Sequence, residues 1–259
     1  MPFNINGQIL TNTQIKLYNN KNIVRSGLTL YLDANVAASY PGSGTTWSDL
    51  SGNNNDFTFA SYNGGSNPAF IVTTGRNYFQ FTGTVAPTAA FLGGGYMTRG
   101  ASINMDYSTT SAWFNNNTSS PKVMALGSTG WENSQYQGVE LFLNGIAIGL
   151  MSTRITTSGT SNSDLNSPYN YNQWYQLTQT FNGSTQAMYI NGLLYTSTSL
   201  SGVQNKPNRS YAIGASFTGD NNPQIFLNGA IGQYLIYNRA LTAAEVLQNF
   251  NATRSRFGI

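Results

Sequence analysis

Short runs of alternating or wholly apolar residues, separated by Asn-Gly and Gly-rich turns, constrain this chain more than any other feature of its sequence. From Gly27 onward they cover residues 28–32, 78–81, 123–126, 139–143, 174–181, 187–190, 211–213 and 230–237. That spacing predicts an all-β sandwich or barrel. Asn-Gly pairs beginning at Asn144, Asn182, Asn191 and Asn228 predict tight turns, because both residues tolerate positive φ, and so antiparallel pairing. Along 174–181, Tyr175, Leu177, Gln179 and Phe181 share one face, while Trp174, Gln176, Thr178 and Thr180 share the other, the period of a half-buried strand. Asn182-Gly-Ser-Thr then leads into a strand that places Met188 and Ile190 together, so a hairpin is expected. One helix is written clearly. Thr242-Ala-Ala-Glu245 is a capping box, Leu241 and Val246 can form a hydrophobic staple, and Val246, Leu247 and Phe250 make an apolar stripe. Glu245 is therefore read as structural.

Composition narrows the function. Hydrophobic residues make up 40% of the 259 positions and aromatics 13%, enough for a packed core, but only 8% are charged against a usual figure of about 25%. The surface is expected to be neutral and polar. The 12 basic and 9 acidic residues, net +3, are scattered singly, without the basic stripe that neutralises phosphates, so no nucleic-acid partner is expected. Absence of cysteine removes disulfides and thiolate metal sites. Absence of histidine removes Ser-His-Asp triads, His-ligated zinc and histidine pH switches. The N-terminus lacks a signal-peptide pattern and no run of about 18 apolar residues occurs, so neither export by the usual signal nor membrane insertion is expected. Residues 1–26 are Asn-rich, with Ile5, Ile9, Ile15 and Leu17 widely spaced. They read as an N-terminal arm or added edge strand, in competition with a simple first strand of the sandwich, and 27–259 reads as the sandwich domain.

The last third, Trp174-Tyr-Gln-Leu-Thr-Gln-Thr-Phe-Asn-Gly, Met188-Tyr-Ile-Asn-Gly, Ala212-Ile-Gly-Ala, Phe226-Leu-Asn-Gly-Ala-Ile and Ile236-Tyr-Asn-Arg-Ala-Leu-Thr-Ala-Ala-Glu, resembles the laminin G-like, concanavalin A-like superfamily in order and spacing. The resemblance implies a jelly-roll β-sandwich of two antiparallel sheets with one short C-terminal helix. Gly27-Leu-Thr-Leu-Tyr-Leu-Asp-Ala and Ser39-Tyr-Pro-Gly-Ser-Gly-Thr-Thr-Trp-Ser-Asp-Leu-Ser-Gly-Asn look like the version of this domain common in structural proteins of tailed bacteriophages. This implies a non-catalytic virion component, a capsid decoration, head-fibre or tail-associated subunit. Its arm would contact other virion proteins, its sandwich would face outward toward host glycans, and by analogy it would be a trimer. A free carbohydrate-binding lectin-like module and a glycoside hydrolase of the same fold are the alternatives. The resemblance covers most of 27–250 and leaves the arm and loops around 85–110 and 152–172 without counterpart. It departs at Gly232-Gln233, where many relatives have an acidic pair, and at Trp174-Tyr175-Gln176.

Hydrolysis would need two carboxylates flanking one bond, and near the matching strand only Glu132 and Glu140 qualify, eight residues apart across a glycine. No catalytic residue is assigned. Sugar binding needs an exposed aromatic face with amides or carboxylates nearby. The leading candidate is the loop carrying Trp131, Glu132, Asn133 and Tyr136, with Tyr169 and Tyr171 second. For Trp131, folding back onto the core or lying in a subunit contact competes with glycan contact. Calcium could be held by oxygen ligands of a loop, at Asp220 with Asn221 and Asn222, or at Asp164, although a turn in which Asp or Asn bonds its own backbone is the leading reading for each. Asp49-Leu-Ser-Gly-Asn reads as a turn scaffold. No other cofactor is expected.

Overall fold

The computed structural model describes residues 4–5, 8–9, 22–83, 93–101, 103–116, 124–128, 131–132, 135–136, 138–144, 150–158, 162–206, 210–218 and 222–259, with backbone only at 4–5, 8–9, 131–132, 135–136, 144, 162 and 218. Among the described residues sixteen strands build two facing antiparallel sheets: β1 (Leu28–Asp33), β2 (Thr46–Trp47), β3 (Phe57–Tyr62), β4 (Ala69–Thr73), β5 (Arg76–Thr82), β6 (Gly94–Arg99), β7 (Ser108–Asn115), β8 (Met124–Ser128), β9 (Val139–Asn144), β10 (Leu150–Thr156), β11 (Asn162–Pro168), β12 (Trp174–Phe181), β13 (Thr185–Ile190), β14 (Leu193–Ser199), β15 (Tyr211–Ile213) and β16 (Asn228–Tyr237). The first sheet runs β14-β13-β12-β7-β16-β5-β4, with β1 also paired to β16, and the second runs β11-β10-β9-β8-β15-β6-β3-β2. Helix α1 (Ala243–Phe257) follows β16. Two-stranded hairpins stand at Asn4–Ile5 with Gln8–Ile9, Trp131–Glu132 with Gln135–Tyr136, and Ser216–Thr218 with Asn222–Gln224.

The main core lies between the sheets. Leu30, Leu32, Phe79, Phe81, Phe114, Leu177, Phe181, Met188 and Tyr234 of the first sheet meet Phe57, Met97, Leu126, Leu141, Met151, Ile155, Tyr211 and Ile213 of the second. The Tyr211 and Tyr234 hydroxyls, both buried, are hydrogen-bonded at 2.9 Å, so the polar tips of two core rings satisfy each other. Expectation and structure part in four places. The regions around 85–110 and 152–172, expected as loops, contain β6, the start of β7, most of β10, and β11. Their Ser, Thr and Asn residues hide the strand pattern because the buried hydroxyls are paired. Ser111 bonds Thr178 at 2.7 Å, and Thr109 bonds the Arg239 carbonyl and the Leu241 amide. Strand β12 is buried on both faces, because α1 covers the side expected to face water. Asn228-Gly229 lies within β16, opposite Thr82 and Phe81, and makes no turn. A Cβ at Gly229 would stand 2.9 Å from the Asn115 carbonyl oxygen, so glycine serves close strand approach there. By contrast, Asn191-Gly192, φ 50° and 78°, forms the expected tight turn between β13 and β14.

Helix α1 closes the outer face of the first sheet. Its capping box is complete: the Thr242 hydroxyl accepts from the Glu245 amide and the Glu245 carboxylate from the Thr242 amide. Arg239 grips the same carboxylate at 2.6 and 2.9 Å and holds it below its usual titration range. The helix ends on Gly258, φ 80°, a left-handed cap. On its buried side Phe257 stacks on Trp113, centroids 4.2 Å apart and 11° from parallel, and Phe250 stacks on the same indole at 5.6 Å. Both contacts need missing side chains beneath. A Cβ at Gly232 would lie 2.7 Å from the Phe257 ring and one at Gly192 2.8 Å from Phe250. Of the expected arm, Asn22–Ser26 is docked along α1: the Val24 amide donates to Asn249, Gln248 donates to the Asn22 carbonyl, and Ile23 and Val24 are buried. Gly232→Ala is expected to cost about 1–3 kcal/mol through overpacking and Phe257→Ala about 3–5 kcal/mol, read as shifts in the urea-unfolding midpoint.

Candidate functional site

The loop carrying Trp131 and Tyr136 is a hairpin joining β8 to β9, with Trp131 opposite Tyr136 and Glu132 opposite Gln135. It runs beside the hairpin that begins at Ser216. The side chains of Trp131, Glu132 and Tyr136 lie outside the described residues, as do Asn133, Asp220 and Asn221 entirely. Asn222 is exposed at the start of its hairpin strand, paired with Thr218. The second aromatic candidate needs correction. Tyr169 is 7% exposed, packed against Phe114 and Tyr175, and its hydroxyl accepts from the buried Asn116 amide at 2.6 Å. Burial pushes that hydroxyl up to about 12. Tyr171 is half-buried, edge-on to Tyr169. Tyr169 therefore offers no open face for a sugar, because the following strand turns it inward. Asp49 is the turn scaffold expected of it, accepting from the amides of Tyr31, Ser51 and Asn55.

A ladder of polar side chains crosses the second sheet on the face away from the core. Register places Asp164 (β11), Arg154 (β10), Glu140 (β9) and Ser128 (β8) side by side. Arg154 donates to both oxygens of Asp164 at 2.6 Å and to Glu140 Oε2 at 3.1 Å, while Ser128 and Ser216 donate to Glu140 Oε1 at 2.5 and 3.3 Å. Asp164 thus sits in a strand and grips an arginine instead of lying in a calcium loop. Among the described residues no group of three His, Cys, Asp or Glu side chains could hold a metal ion. Burial raises the Glu140 carboxyl above its usual range, opposed by Arg154 and the two hydroxyls. Both Glu140 oxygens are occupied, so this carboxylate holds strands together and does not face a substrate.

A second feature brings together segments far apart in sequence. The start of β5, the end of β7, the approach to β12, the Asn191 turn and the end of α1 enclose a cleft of about 480 Å³. Trp174 and Phe257 form its apolar floor, and Asn115, Asn172, Gln173 and Asn191 supply amides. The chain itself uses the oxygens of two of them. Asn191 Oδ1 accepts from the Gln176 amide at 2.9 Å and Gln173 Oε1 from the Tyr175 hydroxyl at 3.0 Å. Their NH₂ groups remain as donors. Asn172 holds its place in a left-handed conformation, φ 61°, its own amide bonded to the Asn116 carbonyl. Arg76 completes the rim, its guanidinium 5.1 Å from the Trp174 ring centroid. A neighbouring cleft of about 430 Å³ at Tyr31, Asp33 and Arg256 is of another kind. Asp33 is 0% exposed, and Arg256 (2.7 Å), Gln233 (2.9 Å), Tyr31 and the Asn35 amide saturate its carboxylate. It clamps the helix to β1 and β16. Sequence reasoning missed the amide cleft because no two of its walls are neighbours in sequence. The near signal was Asn172-Gln173-Trp174, beside the tyrosines that were singled out.

Two facing antiparallel sheets with a C-terminal helix on one of them define a jelly-roll β-sandwich of the concanavalin A-like kind. The chain belongs to the concanavalin A-like lectin/glucanases superfamily, whose laminin G-like family model matches residues 93–247. Among curated proteins no sequence match is found. Solved structures with the same fold include the binding domain of botulinum neurotoxin DC in complex with SialylT (TM-score 0.62, 14% identity, 88% of this chain and 52% of that one). The same domain in complex with rat synaptotagmin II matches with TM-score 0.61 and 15% identity, over 89% of this chain and 52% of that one. The receptor binding domain of botulinum neurotoxin D matches with TM-score 0.58 and 14% identity, over 87% and 52%. This chain spans about half the length of those chains, and at such identity the likeness is one of fold.

The polar ladder makes a quantitative expectation. Arg154→Met leaves Glu140 buried without its cation and should destabilise the fold by about 3–5 kcal/mol at pH 7. A carboxyl whose folded pKa is raised costs stability as pH climbs from its unfolded value, about 4.3, through its folded one. The Arg154→Met penalty should therefore shrink as pH falls toward 4, and the Glu140→Gln/Arg154→Met pair should regain most of the loss at pH 7. Chemical denaturation at the two pH values checks both.

Proposed function

We propose that this chain is a non-catalytic carbohydrate-contacting domain, carried on a bacteriophage particle as a capsid decoration, head-fibre or tail-associated subunit. The amide-walled cleft around Trp174 carries the binding part of the reading. Amide donors above an apolar floor suit a polyol, whose hydroxyls need several hydrogen-bond partners while its C–H faces need an apolar surface. The non-catalytic part rests on Glu140, whose oxygens Arg154, Ser128 and Ser216 already occupy. The neurotoxin domains of the same fold are described in complex with SialylT and, for type C, in interaction with two ganglioside molecules, which supports glycan recognition as a use of this architecture. The virion part rests on the resemblance of residues 27–53 to phage structural proteins. It carries with it an arm bound to neighbouring capsid or tail proteins and a trimeric assembly.

Two measurements test the reading separately. A glycan microarray on the purified chain should show binding that Asn115→Ala weakens about 2- to 10-fold, the worth of one hydrogen bond, and that Glu140→Gln leaves unchanged. Absence of any glycan signal would remove the binding part. Quantitative mass spectrometry of purified particles should find the chain at a fixed ratio to the major capsid protein, and its absence from particles would leave the free lectin-like module as the surviving form.

A further inference from the structure

We infer that the cleft selects sugars bearing a carboxylate, a uronic or sialic acid unit, with Arg76 as the residue that sets this preference; the inference rests on the glycan-contacting reading above. Arg76 Nε is buried and has no hydrogen-bond partner, and the guanidinium makes no ion pair with any described carboxylate. A buried N–H left unpaired is costly, and more so on a charged group. A ligand carboxylate in the cleft that Arg76 lines would give the guanidinium the anionic partner that no described carboxylate supplies. Stacking on Trp174 fixes the plane of the fork, and a fixed guanidinium fork fits a carboxylate through two parallel hydrogen bonds.

The rest of the cleft agrees in polarity. With their oxygens used inside the chain, Asn191 and Gln173 present NH₂ donors. Asn115 and Asn172 add amides; no Asp or Glu side chain lines the walls, and Ile259, which carries the terminal carboxylate of this sequence, stands among the lining residues. A cleft that offers a side-chain cation and several donors, with no acidic side chain, is matched by an acceptor-rich anion. Its volume, about 480 Å³, falls in the range of small-ligand sites. The apolar floor of Trp174 and Phe257 favours a ring over a bare inorganic anion.

Titration calorimetry of the full chain with matched pairs tests this: methyl glucoside against methyl glucuronide, methyl galactoside against methyl galacturonide, and lactose against 3′-sialyllactose. The acidic member of at least one pair should bind about tenfold or more tightly, as expected of a charge-assisted bidentate contact. Added NaCl should weaken that member and spare the neutral one. Arg76→Gln should bring the affinity of the acidic member down to that of its neutral partner, while Arg76→Lys, which retains the charge without the fork, should keep part of the preference. Equal affinity within every pair, or a preference that survives Arg76→Gln, overturns the inference and leaves glycan contact standing. No binding by any member removes both.

Discussion

The fold depends on β16 being paired along both edges. On one side it runs against β7, and on the other it is shared between β5 at its start and β1 at its end. A single strand therefore joins the N-terminal and C-terminal thirds of the chain in one sheet. The pairing carries an irregularity between Ile231 and Gln233, and the residue between them, Gly232, has no side chain to keep Phe257 off Trp113. Had that position carried a Cβ, the last turn of α1 would have to shift. The helix end, and with it one wall of the amide cleft, is set by the local shape of β16.

Charge is used sparingly and almost all of it is committed. Among described carboxylates, Asp33 is held by Arg256, Asp106 by Lys206, Glu140 and Asp164 by Arg154, and Glu245 by Arg239, while Asp49 and Asp56 accept backbone amides. Most of these are stitches between elements that hydrophobic packing alone would not hold in register. Buried glutamines do related work between the sheets, Gln179 donating to the Arg154 carbonyl and Gln186 to Thr153. Arg76 departs from this pattern in that its guanidinium makes no ion pair with a described carboxylate and its buried Nε has no hydrogen-bond partner.

Much of the architecture was legible in the sequence. The strand Trp174–Phe181, the Asn191-Gly192 turn, the hairpin onto Met188 and the capping box at Thr242 came from local rules of periodicity, positive φ and orphan amides. Strands β7 and β11 were not legible, because their Ser, Thr and Asn residues pair with partners such as Thr178 and Ser152 that no local pattern reveals. The site was less legible still. Tyr169 carries the right chemistry but is turned into the core, and the amide cleft exists only because α1 returns to cover β12. Glu140 was visible as a candidate carboxylate, but its saturation by Ser128, Ser216 and Arg154 is a property of the sheet register.

The most direct test of the account is to locate where a sugar binds on the protein. Chemical-shift mapping of the ¹⁵N-labelled chain, titrated with methyl glucuronide, methyl galacturonide or 3′-sialyllactose, reads this out residue by residue. The account requires perturbations at Arg76 Nε–H, the side-chain amides of Asn115 and Asn191, and the Trp174 indole. Shifts confined to the hairpin of Trp131 and Tyr136, with these signals unmoved, would contradict it and place recognition on the opposite sheet.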